Sequence, residues 1–146
     1  MKFKTLLLMM PMFITTLFMS ACKKNDADAS PDKGPIKVRY EITSTLPFSI
    51  DPDDILLSSI AYTNPTYNVE VVSDLSGKHW SKEFLIQDVK KDYPIAVYGT
   101  VVLKGTSGYV NTKIYINGVL KSETNQGVQK ITEEISTALV NATHTF

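Results

Sequence analysis

The chain has 146 residues, 15 lysines and arginines against 15 acidic residues, 43% hydrophobic residues and a single cysteine, the profile of one ordinary globular domain. Its charges are interspersed and leave no contiguous basic face for a phosphate backbone, so nucleic acid is not an expected partner. One cysteine excludes an intramolecular disulfide, and with only His79 and His144 besides, no Cys/His zinc cluster can be assembled.

Residues 1–21 read as a signal peptide. Lys2 and Lys4 give a positive start, Leu6 to Met19 form an apolar run of about 14 residues, and Ser20 and Ala21 are small residues suited to a peptidase. The run is shorter than the roughly 20 residues that a bilayer span needs, and Pro11 interrupts it. Met19-Ser20-Ala21-Cys22 resembles the lipobox of bacterial lipoproteins, an apolar residue, two small residues and Cys, with Met19 where Leu is usual. The resemblance implies cleavage before Cys22, lipid on its thiol and amino group, and attachment to a membrane. Two or three acyl chains, at about 0.8 kcal/mol per buried CH₂, hold effectively permanently. Cleavage would remove all five methionines and two of the 15 bases, leaving 13 bases against 15 acids. Lys24 stands where a resemblance to inner-membrane-retained lipoproteins would require Asp, so an outer-membrane location in the cell envelope is expected.

Residues 22–35 form the lipidated cysteine and a tether. Lys23 to Pro35 carry no large apolar side chain and cannot bury a core, so a disordered linker is expected. At about 3.3 Å per residue it would reach about 40 Å from the lipid surface.

Residues 36–146 are enough for one core. Ile36, Val38, Tyr40 and Ile42 alternate with Lys37, Arg39, Glu41 and Thr43, the period-2 signature of a strand with one buried face. Further β-branched and aromatic runs predict strands over Ile55–Thr63, Tyr67–Ser73, Trp80–Ile86, Ile95–Leu103, Tyr109–Ile116, Val119–Thr124 and about Thr137–Thr145. Turn chemistry separates them at Asn64-Pro65-Thr66, Ser76-Gly77, Gly105-Thr106-Ser107-Gly108, read as a hairpin loop, and Asn117-Gly118, read as a two-residue type I′ hairpin. Val128, Ile131 and Ile135 recur at helical spacing, so helix and strand compete over 127–135. About eight short strands without βα alternation predict an all-β fold, an immunoglobulin-like antiparallel β-sandwich of about 7–8 strands, with a small barrel as the alternative. The expected core includes Val38, Tyr40, Ile42, Trp80, Phe84, Val97, Val101, Ile114 and Ile116.

Catalytic chemistry is hard to build from these residues. No serine sits in a Gly-x-Ser-x-Gly elbow, the cysteine is assigned to lipid, and both histidines fall at strand ends, where exposure is the plain expectation. Asp51-Pro52-Asp53-Asp54 concentrates carboxylates but lacks the spacing and distal Glu of a calcium loop, and Asp88, Lys90, Lys91 and Asp92 read as a polar loop closed by Pro94. Asn141-Ala142-Thr143 matches a glycosylation sequon, which a bacterial lipoprotein has little use for. A non-enzymatic protein needing no metal or organic cofactor is expected. Alternation places Tyr98, Tyr109 and Tyr115 opposite Val97, Val101, Val110, Ile114 and Ile116, either as an outward binding surface for a sugar or partner protein or as ordinary cross-strand pairs.

Val38-Arg-Tyr40-Glu-Ile-Thr43, Ile60-Ala-Tyr62-Thr63-Asn64, Trp80 with Phe84, and Lys113-Ile-Tyr115-Ile-Asn117-Gly118-Val119 together resemble the extracytoplasmic domain of the mycobacterial small membrane protein family, MmpS. The similarity spans roughly residues 36–124 and implies an immunoglobulin-like sandwich acting as an accessory to an RND-type exporter. His79 stands where that family tends to have Pro, its paired cysteines are missing, and lipid takes the place of its transmembrane helix. Asn64-Pro65-Thr66 followed by Tyr67 also resembles the Asn-Pro-Thr loop of chagasin-like inhibitors of papain-type cysteine peptidases, which would imply a peptidase inhibitor. That family's Arg-Pro-Trp-type loop has no counterpart, since Trp80 follows Lys78-His79. The expected function is a lipid-anchored envelope binding or accessory module, with an inhibitor or a ligand or glycan adhesion module as alternatives.

Overall fold

The computed structural model describes residues 34–49 and 56–146. Cys22, the signal segment, all but the last residues of the tether and the Asp51–Asp54 run lie outside the described residues. The described chain is all-β, and its strands run β1 Ile36–Ser44, β2 Ser59–Thr63, β3 Val69–Val72, β4 His79–Ile86, β5 Pro94–Lys104, β6 Tyr109–Ile116, β7 Val119–Gly127, β8 Gln129–Lys130 and β9 Ile135–Thr145. They form a four-stranded sheet, β4-β1-β6-β7, and a five-stranded sheet, β3-β2-β5-β9-β8. All pairings are antiparallel, and the two sheets face each other as a β-sandwich.

Alternation decides which face each strand buries. Val38, Tyr40 and Ile42 of β1 pair with Phe84, Lys82 and Trp80 of β4 on one side and with Ile116, Ile114 and Thr112 of β6 on the other, setting one inner face. Ile60 and Tyr62, Ile95, Val97, Val101 and Leu103, and Ala138, Val140 and Ala142 supply the opposing face, and all are buried. Of the expected core, Val38, Tyr40, Ile42, Val97, Val101, Ile114 and Ile116 are buried, whereas Trp80 and Phe84 are only half-buried. The reason is position: β4 is the edge of its sheet, so its inner side chains close the flank of the sandwich. There Tyr40, Tyr62, Trp80 and Phe84 form one ring cluster, with Tyr40–Phe84 centroids 5.6 Å apart edge-to-face and Tyr62–Trp80 5.8 Å. The opposite flank is closed by backbone proximity. β8 covers only the start of β9, which leaves the rest of that strand's edge beside β7, and Thr124 Oγ1 donates to the Asn141 carbonyl.

The connections correct two expectations and decide one open alternative. Gly105–Gly108 is not a hairpin, because β5 and β6 lie in different sheets; the loop crosses between them, and a Cβ on Gly108 would sit 2.2 Å from Thr45 Oγ1. The 127–135 segment is strand β8 and bends, without a helix. The run toward Thr63 becomes a strand only at Ser59, where the Ser58 hydroxyl accepts the Val102 N–H at 2.9 Å in place of a backbone partner. Asn117 and Gly118 do form the two-residue hairpin, with φ of 50° and 80°. Asn117 Oδ1 also accepts the Lys37 N–H at 2.8 Å, which ties the turn to the start of β1. Gly99 sits mid-strand at φ 148°, because β2 passes so close that a Cβ would meet the Ser59 carbonyl oxygen at 2.1 Å.

Candidate functional site

The two histidines are far apart in the fold. His79 opens β4 and is exposed, while His144, near the end of β9, is half-buried with its ring edge-on to Phe146 at 5.4 Å. Burial, and then the nearby Lys121 charge, lower the His144 pKa and favour neutral imidazole. Among the described residues no group of three or more His, Cys, Asp or Glu side chains is placed to hold a metal ion. Among the described residues, no hydrogen bond joins either histidine to a nucleophile or an orienting carboxylate.

The tyrosines singled out from the sequence do not share one surface. Tyr98 projects from β5 of the five-stranded sheet, whereas Tyr109 and Tyr115 project from β6 of the four-stranded sheet, so they lie on outer faces of opposite layers. Tyr115 is half-buried under the Arg39 guanidinium, 4.1 Å from its ring centroid, an ordinary cross-strand cation–π pair.

The two outer faces differ in chemistry. Over the four-stranded sheet, Lys37 pairs with Glu83 at 2.7 Å, Arg39 lies 3.7 Å from Glu41, and Lys113 lies 3.7 Å from Glu123, which also accepts from Asn111 Nδ2 at 2.8 Å. On that face the exposed Leu85, Tyr109 and Leu120 are interspersed with partnered charges. Across the five-stranded sheet, Val71, Ala61, Tyr98 and Asn141 form one continuous cross-strand row. Beside it run Val69, Thr63, Ala96 and Thr143 on one side, and Ser59, Thr100 and Leu139 on the other. These positions carry no charge, and the first charged outward residue of β5 is Lys104 at its end. Val71 and Leu139 are each 66% exposed, Val69 57% and Tyr98 44%. Isolated exposed apolar residues are commonplace, but four spread across three strands of one sheet face with no charge between them make a surface suited to a partner.

A second feature lies at one end of the sandwich, where the β2–β3 turn approaches the β4–β5 loop. A cavity of about 320 Å³ is lined by Pro65, Thr66, Tyr67, Leu85, Gln87, Asp88 and Lys90. The turn is rigid by construction: Asn64 Oδ1 accepts from the Thr66 N–H, the Thr66 hydroxyl and the Asn68 N–H at 2.9–3.0 Å, and Tyr67 takes φ 63°. The Tyr67 hydroxyl accepts the Lys90 N–H at 2.8 Å and donates to the Asp88 carbonyl at 3.3 Å, fastening one loop to the other. Tyr93 packs edge-on to Tyr67 at 4.8 Å, and the Lys90 ammonium lies 4.8 Å from the Tyr67 ring centroid. The Asn-Pro-Thr segment therefore forms a hairpin turn whose threonine hydroxyl is already engaged by its own asparagine. Sequence reasoning missed this cavity because Leu85, Gln87 and Asp88 meet the turn only through the pairing of sheets.

No protein-family model and no curated protein sequence matches this chain. Among the described residues no helix is long and apolar enough to cross a membrane.

Proposed function

We propose that the chain is a non-enzymatic, lipid-anchored binding module of the cell envelope, held through Cys22 on the 23–35 tether and presenting the outer face of its five-stranded sheet to a protein partner. The observation that carries this reading is the contrast between the two faces. One sets its exposed Leu85, Tyr109 and Leu120 among partnered charges, and the other exposes Val69, Val71, Tyr98 and Leu139 with no charge between them. Burying the second removes apolar surface from water, at about 25 cal/mol per Å², without desolvating an ion. A long tether on a two-dimensional surface raises the effective concentration of domain and partner. The partner we favour is a subunit of an RND-type exporter, in keeping with the resemblance of residues 36–124 to the MmpS family. Chemical crosslinking in the native cells, followed by identification of what co-purifies, tests this reading. An exporter subunit is the expected product; unrelated envelope proteins alone would remove the accessory role and leave a free-standing binding module.

A further inference from the structure

The cavity between the β2–β3 turn and the β4–β5 loop shares no residue with the sheet face, and its chemistry is different. Its apolar part is the Pro65 ring and the half-exposed Leu85 side chain, set over the buried Tyr67. Its polar part includes the Gln87 amide and the Asp88 carboxylate, and among the described residues no hydrogen bond or ion pair engages either side chain. Lys90 adds one positive charge to the one negative charge of Asp88, so the lining is neutral as a whole. A free anion would meet the Asp88 carboxylate and a free cation the Lys90 ammonium.

We propose that this cavity is a binding site for a neutral saccharide. A pyranose offers an apolar C–H face and a rim of hydroxyls that both donate and accept. The Pro65 ring and the Leu85 side chain match the face, and at the rim the Gln87 amide both donates to and accepts from hydroxyls while the Asp88 carboxylate accepts from them. A volume of about 320 Å³ stands at the lower end of the range of about 300–1,000 Å³ typical of small-ligand sites. That is room for a sugar ring at the end of a glycan. The Tyr67 hydroxyl holds the two walls together through the Lys90 N–H and the Asp88 carbonyl, so little conformational freedom is lost on binding.

The test is retention of the full-length chain, in detergent, on an array of defined neutral and acidic glycans, run beside Gln87→Ala, Asp88→Ala and Leu139→Lys. Both cavity substitutions are at exposed positions and should leave the melting temperature unchanged. The expected result is retention on neutral glycans, weakened at least tenfold by Gln87→Ala and by Asp88→Ala and untouched by Leu139→Lys. Retention on no neutral glycan, preference for acidic ones, or equal retention by the cavity variants would overturn the proposal. Loss through Leu139→Lys alone would move the sugar to the sheet face and overturn it as well. Failure of the sheet-face reading would instead show as absent protein crosslinks, with the glycan result unaffected.

Discussion

The Tyr62 hydroxyl donates to the Glu70 carboxylate across the β2–β3 pair, at the flank where the aromatic cluster meets solvent. Burial, then this hydrogen bond, push the Tyr62 pKa up to about 12, and the same bond, with a second from Asn64 Nδ2 at 3.0 Å, lowers that of Glu70. Both shifts favour protonated tyrosine beside ionised glutamate. The buried Tyr40 hydroxyl, which donates to the Thr63 carbonyl at 2.9 Å, is raised further still by desolvation.

These shifts fix a pH dependence. A tyrosine raised in the folded state contributes stability that is complete below its unfolded value near 10 and is lost as pH rises toward about 12. Glu70 and His144, both lowered, contribute stability present above their unfolded values and lost as pH falls. Thermal unfolding against pH should therefore show a shoulder of lost stability between pH 10 and about 12 that is smaller in Tyr62→Phe. An identical alkaline profile in that variant would contradict the assignment.

Gly99 should tolerate no side chain. A Cβ there meets the Ser59 carbonyl oxygen at 2.1 Å, and φ is 148°, so Gly99→Ala is expected to cost about 2–4 kcal/mol in denaturant unfolding. A loss under about 1 kcal/mol would mean that β2 and β5 are spaced more widely than described.

Trp80 belongs to the flank, not the deep core. Trp80→Ala should cost about 1.5–3 kcal/mol, below the about 3–5 kcal/mol of a fully buried aromatic, whereas Ile114→Ala, at a fully buried site, falls in the about 2–5 kcal/mol range. Urea midpoints for the two variants measure the difference, and a Trp80→Ala loss above about 4 kcal/mol would place the indole inside.

Lipid anchoring through Cys22 predicts that Cys22→Ala abolishes incorporation of labelled fatty acid and releases the protein from the membrane fraction. Label retained by the variant would end that assignment.

Strand identity was legible wherever the signal is local. The Ile36–Ile42 alternation, the Tyr109–Ile116 run and the Asn117-Gly118 pair each report on neighbours in sequence, and each forms as read. What was not legible depends on which strands meet. Tyr98 and Tyr109 have the same outward alternation, yet they fall on opposite layers because β5 and β6 belong to different sheets. Trp80 alternates like a core residue, and only the edge placement of β4 uncovers it. The charge-free surface assembles Val71, Ala61, Tyr98 and Leu139 from four strands, so no window of sequence displays it.

A photo-crosslinking side chain placed at position 139 and, separately, at position 113, in the full-length chain in its native cells, tests the binding face most directly. The account predicts a discrete protein adduct from Leu139, on the outer face of β9 in the five-stranded sheet, and none from Lys113, beside the ion pairs of the other layer. Adducts from position 113 alone, equal adducts from both, or none from either would contradict it.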